Sequence, residues 1–430
     1  MQTWSRPDIP TVPGQSSPLR LYDTADREIR EVDVPEEGPL GLYVCGITPY
    51  DSTHLGHAAT YLAFDLINRQ LLDNGVSVRY AQNVTDVDDP LFERAERDNV
   101  DWRELGDSQV EKFRGDMAAL RVLPPDFFVG ATEVVDEIVE IVGELLDKGA
   151  AYVVDDDEYP DVYASREATA RFGYVSNYSD SEMAEIFPER GGDPDRPGKR
   201  DPLDALIWRA HRDGEPAWDS PFGPGRPGWH IECAAIAANR LGVPFAINGG
   251  GSDLAFPHHE YSAAHAEAAR GVERMAGHYV HAGMISLDGT KMSKSLGNLV
   301  FVKDLTDDGH EPDAIRASVY DSHYRGDRDW SAEILTVAER RLARWRAAAS
   351  QGGSDERARA VVAELRERLA DDLDSPGALR ALDTWADEIL PTGAEAGPAR
   401  AEAAPLSELP ASSRLVAAAT EALLGIRLGR

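Results

Sequence analysis

The chain has 430 residues, and 42% of them are hydrophobic, so it is long enough to bury a large core and to form two domains. It carries 76 acidic and 44 basic residues, which gives a formal net charge of -32. An excess of negative charge argues against a nucleic-acid ligand, unless the whole protein is adapted to salt and keeps a local basic patch. The charge alone does not decide between these two explanations.

The sequence has neither a long apolar run nor a targeting pattern near its N-terminus, and it contains two cysteines, Cys45 and Cys233. Two cysteines so far apart do not make a disulfide framework. We therefore expect a cytoplasmic protein with reduced thiols and without a membrane partner.

The first elements along the chain predict a parallel α/β sheet. An apolar run at 41–47 predicts a strand, and residues 54–75 have the apolar spacing of a helix that stops at Asn74-Gly75. A second strand is expected at 76–84. A strand, a turn with glycine, a helix and a strand are typical of the start of a parallel α/β sheet.

The middle of the chain changes character before this pattern returns. Residues 91–150 are mostly helical in pattern, and 151–225 combine a predicted β-hairpin with a charged Gly/Pro loop. A helix at 229–242, a strand that leads into glycines, and a strand at 278–286 follow.

The final part, from about 323 onward, shows helical spacing with breaks near 391–398. We predict an α/β Rossmann-type catalytic domain at 1–325, with an insertion at approximately 120–225, followed by a C-terminal helical bundle at 326–430.

A pair of histidines lies at the start of the first predicted helix, where His54 and His57 flank Gly56. The N-terminus of a helix presents free N–H groups and the positive end of the helix dipole, and glycine lets a phosphate approach the backbone. Alone, this pattern is a weak signal, because most such pairs have no role in catalysis.

A second candidate for phosphate binding is the segment Lys-Met-Ser-Lys-Ser at 291–295. The chain has only six lysines, so Lys291 and Lys294 on one loop flanked by glycines favour a polyphosphate clamp over a solvated surface. Together the two motifs resemble the motif pair of class I aminoacyl-tRNA synthetases. That resemblance implies attack of a carboxylate on the α-phosphate of ATP, which forms an acyl-adenylate and pyrophosphate.

Cys45, Cys233 and either His258 or His259 are candidate zinc ligands, and the alternative is a pair of buried, inert cysteines. Cys45 ends the first predicted strand, Cys233 lies at a helix start, and the histidines follow a glycine loop. All of them would meet at the carboxyl edge of the sheet, where α/β proteins bind ligands. Thiolate and imidazole are the ligands that zinc prefers.

Longer segments between about residues 40 and 325 resemble cysteinyl-tRNA synthetase. They are YVCGITPYD, NVTDVDD, DPLDALIWR, GRPGWHIEC, GGGSDLAFPHHE and DGTKMSKSLGN. The resemblance implies one zinc ion per chain on Cys45, Cys233 and His258, which binds the thiolate of the substrate cysteine. Such a site distinguishes cysteine from serine by its sulfur.

The resemblance also implies roles for residues around these ligands. His54 and His57 would stabilise charge on the α-phosphate of ATP, and Lys291 and Lys294 would bind the leaving pyrophosphate. The residues that would contact cysteine or the adenylate are Gly46, Ile47, Thr48, Thr60, Asn83, Val84, Thr85, Trp229, Gly251, Ser252, Asp253 and Ile285.

ATP is expected to act with Mg²⁺, and no ligand for that ion is evident in the sequence. The cluster of Asp86, Asp88 and Asp89 is a candidate, but roles in a turn and in helix capping are the favoured interpretation.

The sequence departs from the synthetase at three places. The synthetase's fourth zinc ligand, a glutamate, is replaced here by Ser262, so either Glu260 or the substrate thiolate would complete the site. The turn after the first cysteine is CGITPYD instead of CGPTVYD. Residues 351–430 contain 14 acidic and 9 basic residues and no lysine, which is a poor surface for tRNA.

These departures resemble the ligase family of mycothiol biosynthesis, which joins L-cysteine to the amine of glucosaminyl-inositol. The segments that carry this resemblance are CGITPYDSTHLGHA, ERGGDPDRPGKRDPLDALIW and FPHHEYSAAHAE. It implies an ATP-dependent, AMP-forming ligase that acts on small molecules through a cysteinyl-adenylate, without tRNA and as a monomer.

For the acceptor site, the sequence leaves two interpretations. The charged loop Glu189–Pro194 is a candidate, and a solvated surface loop is an equal alternative. Two other functions compete with the ligase: a truncated cysteinyl-tRNA synthetase, and a regulator that binds cysteine or nucleotide without catalysis.

Overall fold

The computed structural model describes residues 1–50, 53–287, 289–291, 298–391 and 403–429. The N-terminal segment leads into an antiparallel hairpin of β1 (Arg20–Asp23) and β2 (Glu28–Glu31). Trp4 is buried before this hairpin, with its ring edge-on to Phe113 at 5.7 Å between centroids. The first residues therefore cover the outside of the α/β core.

The central sheet of the described residues is parallel and has the strand order β11–β10–β3–β4–β5. Its strands are β3 (Leu40–Ile47), β4 (Val78–Val84), β5 (Phe127–Gly130), β10 (Phe245–Gly251) and β11 (Ala276–Ala282). The chain moves outward from β3 through β4 to β5, and from β10 to β11 on the other side. The order of the strands thus reverses between β3 and β10, where a crevice for ligands is expected.

Helices connect these strands. α1 (Leu55–Asp73) begins after the His54 cap and ends at Asn74, which confirms the helix predicted from the apolar spacing. The strands predicted at 41–47 and 76–84 are confirmed as β3 and β4. Two further helices, α2 (Asp89–Asp98) and α3 (Trp102–Ala119), lead from β4 to β5.

The segment between β5 and β10 forms an antiparallel sheet of its own. β5 itself, although it lies within the range 120–225 assigned to the insertion, pairs with β4 at the edge of the parallel sheet. The predicted hairpin is confirmed as β6 and β7. The elements are α4 (Val135–Asp147), β6 (Ala151–Val153), β7 (Val162–Ala164), α5 (Asp180–Glu189), β8 (Ala205–Ala210) and β9 (Gly225–Pro227).

Two helices flank β10: α6 (Trp229–Leu241) before it and α7 (Glu260–Arg270) after it. A small sheet then joins β12 (Ile285–Leu287), β13 (Thr290–Lys291) and β14 (Arg328–Trp330). The helices α8 (Val302–Asp307) and α9 (Pro312–Tyr320) lie between β13 and β14 in the chain.

The C-terminal part is helical and packs on the α/β core. Buried side chains of both parts, such as Leu62, Ile67, Leu365 and Leu423, belong to one continuous hydrophobic cluster. The domain boundary at 325/326 stays a prediction, and most of the predicted break at 391–398 lies outside the described residues. The helices are α10 (Ala332–Gln351), α11 (Asp355–Ala370), α12 (Ser375–Ile389) and α13 (Ala411–Leu424).

Within the described residues, every helix is too short or too polar to cross a lipid bilayer.

Candidate active site

Three potential metal ligands meet below the crevice between β3 and β10. Cys45 Sγ lies 3.8 Å from Cys233 Sγ, and His258 Nε2 lies 3.1 Å from Cys233 Sγ. The three ligand atoms are all within 4.8 Å of one another, and all three side chains are buried. Two sulfur atoms and one imidazole nitrogen fit a zinc ion with one position left for a substrate.

The backbone of β3 is irregular where it carries Cys45. The pairing of β3 with β4 shifts its register between Val44 and Ile47. Gly46 lies so close to β4 that a Cβ atom there would be 1.6 Å from the Asn83 carbonyl oxygen. The Gly46 N–H donates to Asn83 Oδ1 at 2.8 Å. The irregularity therefore needs glycine and fixes Cys45 at the end of the strand.

Burial and the sulfur pair determine the protonation of the two thiols. Burial, followed by the neighbouring Cys233, raises the pKa of Cys45 well above its usual value. Burial also opposes ionisation of Cys233, but the Cys45 thiol and the His258 ring outweigh it and lower the pKa of Cys233 well below its usual value. These directions favour a thiol at Cys45 and a thiolate at Cys233, whose buried charge a metal cation would neutralise.

A line of hydrogen bonds runs from Cys45 to the N-terminal hairpin. His259 Nε2 lies 3.1 Å from Cys45 Sγ, His259 Nδ1 lies 2.8 Å from His281 Nε2, and Thr24 Oγ1 lies 2.7 Å from His281 Nδ1. Burial lowers the pKa of His259 well below its usual value and that of His281 to about 4, so both rings are neutral. We assign the tautomers in which Thr24 donates to His281; each ring then donates toward the sulfur, and His259 donates to Cys45.

From the sequence, His259 was only an alternative ligand, and Thr24 and His281 were not predicted at the site. The His-His pair at 258–259 was the available signal, whereas nothing in the sequence linked Thr24 to the site.

Two residues at the start of α6 fix the ring of His258. His230 Nδ1 lies 3.0 Å from His258 Nδ1, and the Trp229 ring stacks on the His258 ring at 4.4 Å between centroids. Burial, followed by the neighbouring His258 ring, lowers the pKa of His230 well below its usual value, so His230 is neutral. These contacts orient the ligand nitrogen of His258 toward the two sulfurs.

The histidine pair caps α1 at the same edge of the sheet. His54 Nδ1 accepts the Gly56 N–H at 3.1 Å, and the rings of His54 and His57 stack at 3.8 Å between centroids. The Leu55 N–H donates to the Val300 carbonyl oxygen at 2.7 Å. The start of α1 is therefore joined to the chain that follows the lysine segment. Of that segment, the backbone of Lys291 ends β13, and Lys294 lies outside the described residues.

The other predicted contact residues gather around the carboxyl ends of β3, β4 and β10 and on neighbouring elements. The Thr85 N–H donates to the Ile47 carbonyl oxygen at 2.9 Å, and Asn83 Nδ2 donates to Thr85 Oγ1 at 3.2 Å, so the ends of β3 and β4 are joined. The residues are Gly46, Ile47 and Thr48 at the end of β3, Asn83, Val84 and Thr85 at the end of β4, Gly251, Ser252 and Asp253 at the end of β10, Thr60 on α1, Trp229 on α6 and Ile285 on β12.

Comparison with known proteins gives the family. Residues 31–340 match the family described as "tRNA synthetases class I (C) catalytic domain". The chain is 65% identical to the L-cysteine:1D-myo-inositol 2-amino-2-deoxy-alpha-D-glucopyranoside ligase of Corynebacterium efficiens, over 100% of both chains. It is 60% identical to the ligase of the same name from Nocardia farcinica, again over 100% of both chains. The chain belongs to this ligase family. The family resemblance seen in the sequence is thereby confirmed.

Solved structures show the same fold at low identity. The Mycobacterium tuberculosis methionyl-tRNA synthetase in complex with methionyl-adenylate matches with a TM-score of 0.60 and 18% identity, covering 80% of this chain and 81% of that chain. The Agrobacterium radiobacter K84 agnB2 LeuRS, in a ternary complex with tRNA, matches with a TM-score of 0.58 and 11% identity, covering 91% and 83%. The predicted α/β synthetase fold with a helical C-terminal region is confirmed.

In this member of the ligase family, Ser262 and Glu260 both point their polar groups to structural partners. Ser262 Oγ donates to the His258 carbonyl oxygen at 2.7 Å. The Glu260 carboxylate accepts the N–H groups of Gly173 and Ser176 at 2.7 and 2.8 Å. Neither joins Cys45, Cys233 and His258 in the one candidate metal cluster of the described residues. This geometry favours the substrate over Glu260 as the fourth ligand.

The aspartates that were considered for Mg²⁺ also have structural partners. Asp86 accepts from Thr132 N and Oγ1 at 2.9 and 2.6 Å, and Asp88 caps α2. Asp89 pairs with Arg226 at 2.5 Å. Burial, followed by the charge of Asp89, raises the pKa of Asp88 to about 6. These contacts match the turn and capping roles that the sequence favoured.

Proposed function

We propose that the protein is an ATP-dependent ligase that joins L-cysteine to the amine of glucosaminyl-inositol. Its similarity to ligases named for these two substrates, over the full length of both chains, supports the choice of substrates. The observation that carries the proposal is the buried cluster of Cys45, Cys233 and His258 beside the histidine cap of α1. Together they would place the thiol of cysteine next to the α-phosphate of ATP.

In the first step, an oxygen of the cysteine carboxylate attacks the α-phosphorus of ATP, which enters with Mg²⁺. The bond to the bridging oxygen of the β-phosphate breaks, and pyrophosphate leaves with the electron pair. His54 and His57 would stabilise the charge on the α-phosphate. Because His54 Nδ1 accepts a backbone N–H, a neutral His54 ring carries its proton on Nε2, which would be the donor toward the phosphate. Lys291 and Lys294 would bind the pyrophosphate.

Cys45, Cys233 and His258 would hold one zinc ion per chain, and such an ion supplies a ligand position that prefers the thiolate of cysteine to the hydroxyl of serine. Thr48, Thr85, Trp229 and Asp253 would surround the cysteine, with Asp253 or Thr85 at its ammonium group. The residues that would line the adenylate are Gly46, Ile47, Thr60, Asn83, Val84, Gly251, Ser252 and Ile285.

In the second step, the lone pair of the acceptor amine attacks the carbonyl carbon of cysteinyl-adenylate. The carbon–oxygen bond to AMP breaks, AMP leaves with the electron pair, and the amine loses a proton as the amide forms. The Asn83, Gly46 and Thr85 hydrogen bonds would keep the adenylate wall fixed between the two steps.

The test combines L-cysteine, ATP and either glucosaminyl-inositol or cysteine tRNA with the purified protein. We expect one amide product and one AMP per ATP with the amino sugar, and none with L-serine. Formation of cysteinyl-tRNA without the amide would contradict the proposal and support a truncated synthetase. Absence of cysteine-dependent exchange of pyrophosphate into ATP would instead support a non-catalytic regulator.

A further inference from the structure

One arginine fastens the loop after α5 to the wall of the active site. Arg190 Nη1 donates to the backbone carbonyl oxygens of Asp253 and Phe256. Both carbonyls belong to the segment that leads from the end of β10 to the candidate ligand His258. Since α5 lies in the insertion, this contact joins the insertion directly to the site.

The loop is also fixed from its other side. Asp193 accepts from Lys199 Nζ at 3.0 Å and from the Tyr163 hydroxyl. A Cβ atom on Gly192 would lie 2.4 Å from the Phe187 ring, and the Gly192 N–H donates to the Phe187 carbonyl oxygen at 2.9 Å. Phe187 in turn belongs to a hydrophobic cluster with Phe256. The loop therefore has a defined position beside the site, which argues against a freely solvated loop.

Arg190 keeps donor groups for a ligand. The residue is half-buried, and its Nε and Nη2 atoms have no hydrogen-bond partner among the described residues. Glu189 precedes it in the chain and is exposed, and its carboxylate has no partner in the described part of the chain. The rim thus offers guanidinium donors beside a carboxylate acceptor. A polyol that carries an amine needs both kinds of group.

We propose that Arg190 and the loop Glu189–Pro194 form one wall of the subsite for the amine acceptor. Nε and Nη2 of Arg190 donate to hydroxyl groups of the acceptor, and Glu189 accepts from one of them. The position suits this role, because the acceptor amine must reach the carbonyl carbon of cysteinyl-adenylate. The thiolate of that cysteine would be held near His258. Arg190 donates a hydrogen bond to the carbonyl oxygen of Phe256, which lies two residues before that histidine. This inference rests on the proposed function, since it requires a polyhydroxylated amine as the second substrate.

The test compares Arg190→Ala and Arg190→Lys with wild type and with Arg200→Ala. Arg200 is a matched control in the same insertion, where its exposed guanidinium stacks on Tyr152 at 4.0 Å. Two reactions are measured: cysteine-dependent exchange of pyrophosphate into ATP, and amide formation over a range of glucosaminyl-inositol concentrations. Lysine keeps the charge but offers a single nitrogen, so it cannot bind two carbonyls and also reach the acceptor.

We expect both Arg190 variants to raise the KM for glucosaminyl-inositol at least about tenfold, which is the loss expected for a charged hydrogen bond. Both Arg190 variants should form the amide less efficiently and keep the cysteine-dependent exchange of pyrophosphate into ATP. Arg200→Ala should match wild type in both reactions. Should Arg190→Ala fail to fold, Arg190→Lys alone decides.

An unchanged KM for the acceptor would overturn the inference. An equal loss in exchange and in amide formation would also overturn it, because Arg190 would then only support the segment before His258. A wild-type protein that performs the exchange but forms no amide with glucosaminyl-inositol refutes the proposed function itself, whatever Arg190 does.

Discussion

Two buried polar clusters in this chain differ in whether neighbouring side chains of the protein neutralise their charges. The first lies between α1, α9 and α13, where Asp65 accepts from Arg69 Nε at 2.7 Å and from Arg316. Burial opposes the charge of Asp65, but the two arginines outweigh it and lower its pKa. Arg316 also donates to the carbonyl oxygens of Leu120 and Leu424 at 2.7 Å. Both signs of charge are present, so this cluster is complete in itself.

The second cluster gathers groups of one kind. Cys45, Cys233 and His258 direct two sulfurs and a ring nitrogen at a common point, and the neighbouring rings of His230 and His259 are neutral. All three converging atoms are donors of electron pairs, and among the described residues no cation of the protein faces them. A buried cluster that contains both charges thus balances itself, whereas one that collects lone pairs could hold a bound cation.

The largest effect is expected from Cys45→Ser. Removing one of three ligands should abolish stoichiometric zinc and lower cysteine-dependent pyrophosphate exchange by about a thousandfold, because both depend on the same site. Metal analysis and exchange assays on the same preparation measure both. Ser262→Ala is the matched control, since its hydroxyl contacts carbonyl oxygens instead of the cluster, and it should keep zinc. A zinc-free Cys45→Ser protein with normal pyrophosphate exchange would contradict the assignment of this cluster as the zinc site that cysteine activation requires.

The complete cluster is weakened by Arg316→Met, which leaves Asp65 paired with Arg69 alone and removes the donors to the Leu120 and Leu424 carbonyl oxygens. We expect a loss of about 3–5 kcal/mol in the free energy of unfolding in urea, with zinc content per folded chain unchanged. Arg368, which pairs with Asp374 at 3.4 Å on the surface, supplies the control. Its alanine variant should lose no more than about 1 kcal/mol. A loss of zinc in folded Arg316→Met would show that the two clusters are not independent.

A smaller effect is expected from the hydrogen-bond line behind Cys45. His259→Phe removes the donor to the sulfur and should weaken zinc binding about 10- to 100-fold in competition with a chelator. His281→Phe and Thr24→Val should follow with progressively weaker effects, because they act through His259. His278→Gln on the same strand β11 is the control, since its ring contacts the Arg30 carbonyl oxygen at 3.4 Å. Equal zinc affinity in all four variants would show that His259 does not contribute to zinc binding.

The smallest effect concerns Glu267, a buried carboxyl that has no cation partner among the described residues. Burial raises its pKa to about 7, although it accepts from the Tyr174 hydroxyl at 2.6 Å and the Met275 N–H at 3.0 Å. The folded state therefore binds the proton more tightly than the unfolded state, so the stabilisation is full below pH 4.5 and is lost as pH rises through 7.

We expect the free energy of unfolding to fall by about 2 kcal/mol between pH 5 and pH 8 because of Glu267, and Glu267→Gln to remove that part of the slope. Glu140→Gln, on the exposed face of α4, is the control and should keep it. The same slope in both variants would mean that Glu267 is not the group responsible.

The sequence was sufficient for the elements that position the site. The spacing of apolar residues in 54–75 predicts α1, and the turn, cysteine and histidine motifs at the carboxyl edge predict Cys45, Cys233 and His258 as neighbours. These features are local, or follow from the rule that parallel strands end at one edge.

Other features depend on contacts between distant parts of the chain. Thr24 reaches His281 across 257 positions, and Arg190 reaches Phe256 across 66, by hydrogen bonds that leave no periodic pattern. The direction of Glu260 depends on the loop at 173–176, which supplies N–H donors. Likewise, the amphipathic pattern of the C-terminal helices predicts that each of them buries one face. It does not predict that these faces pack into the core of the α/β part.

X-ray absorption at the zinc edge of the purified protein, with and without L-cysteine, tests most directly whether Cys45, Cys233 and His258 hold a zinc ion that binds the substrate thiolate. Without substrate, we expect two sulfur ligands at about 2.3 Å and one imidazole nitrogen from the chain. Addition of L-cysteine should raise the sulfur count to three, and L-serine should leave it unchanged. A sulfur count that stays at two with saturating L-cysteine would contradict the claim that this cluster selects the substrate by its thiolate.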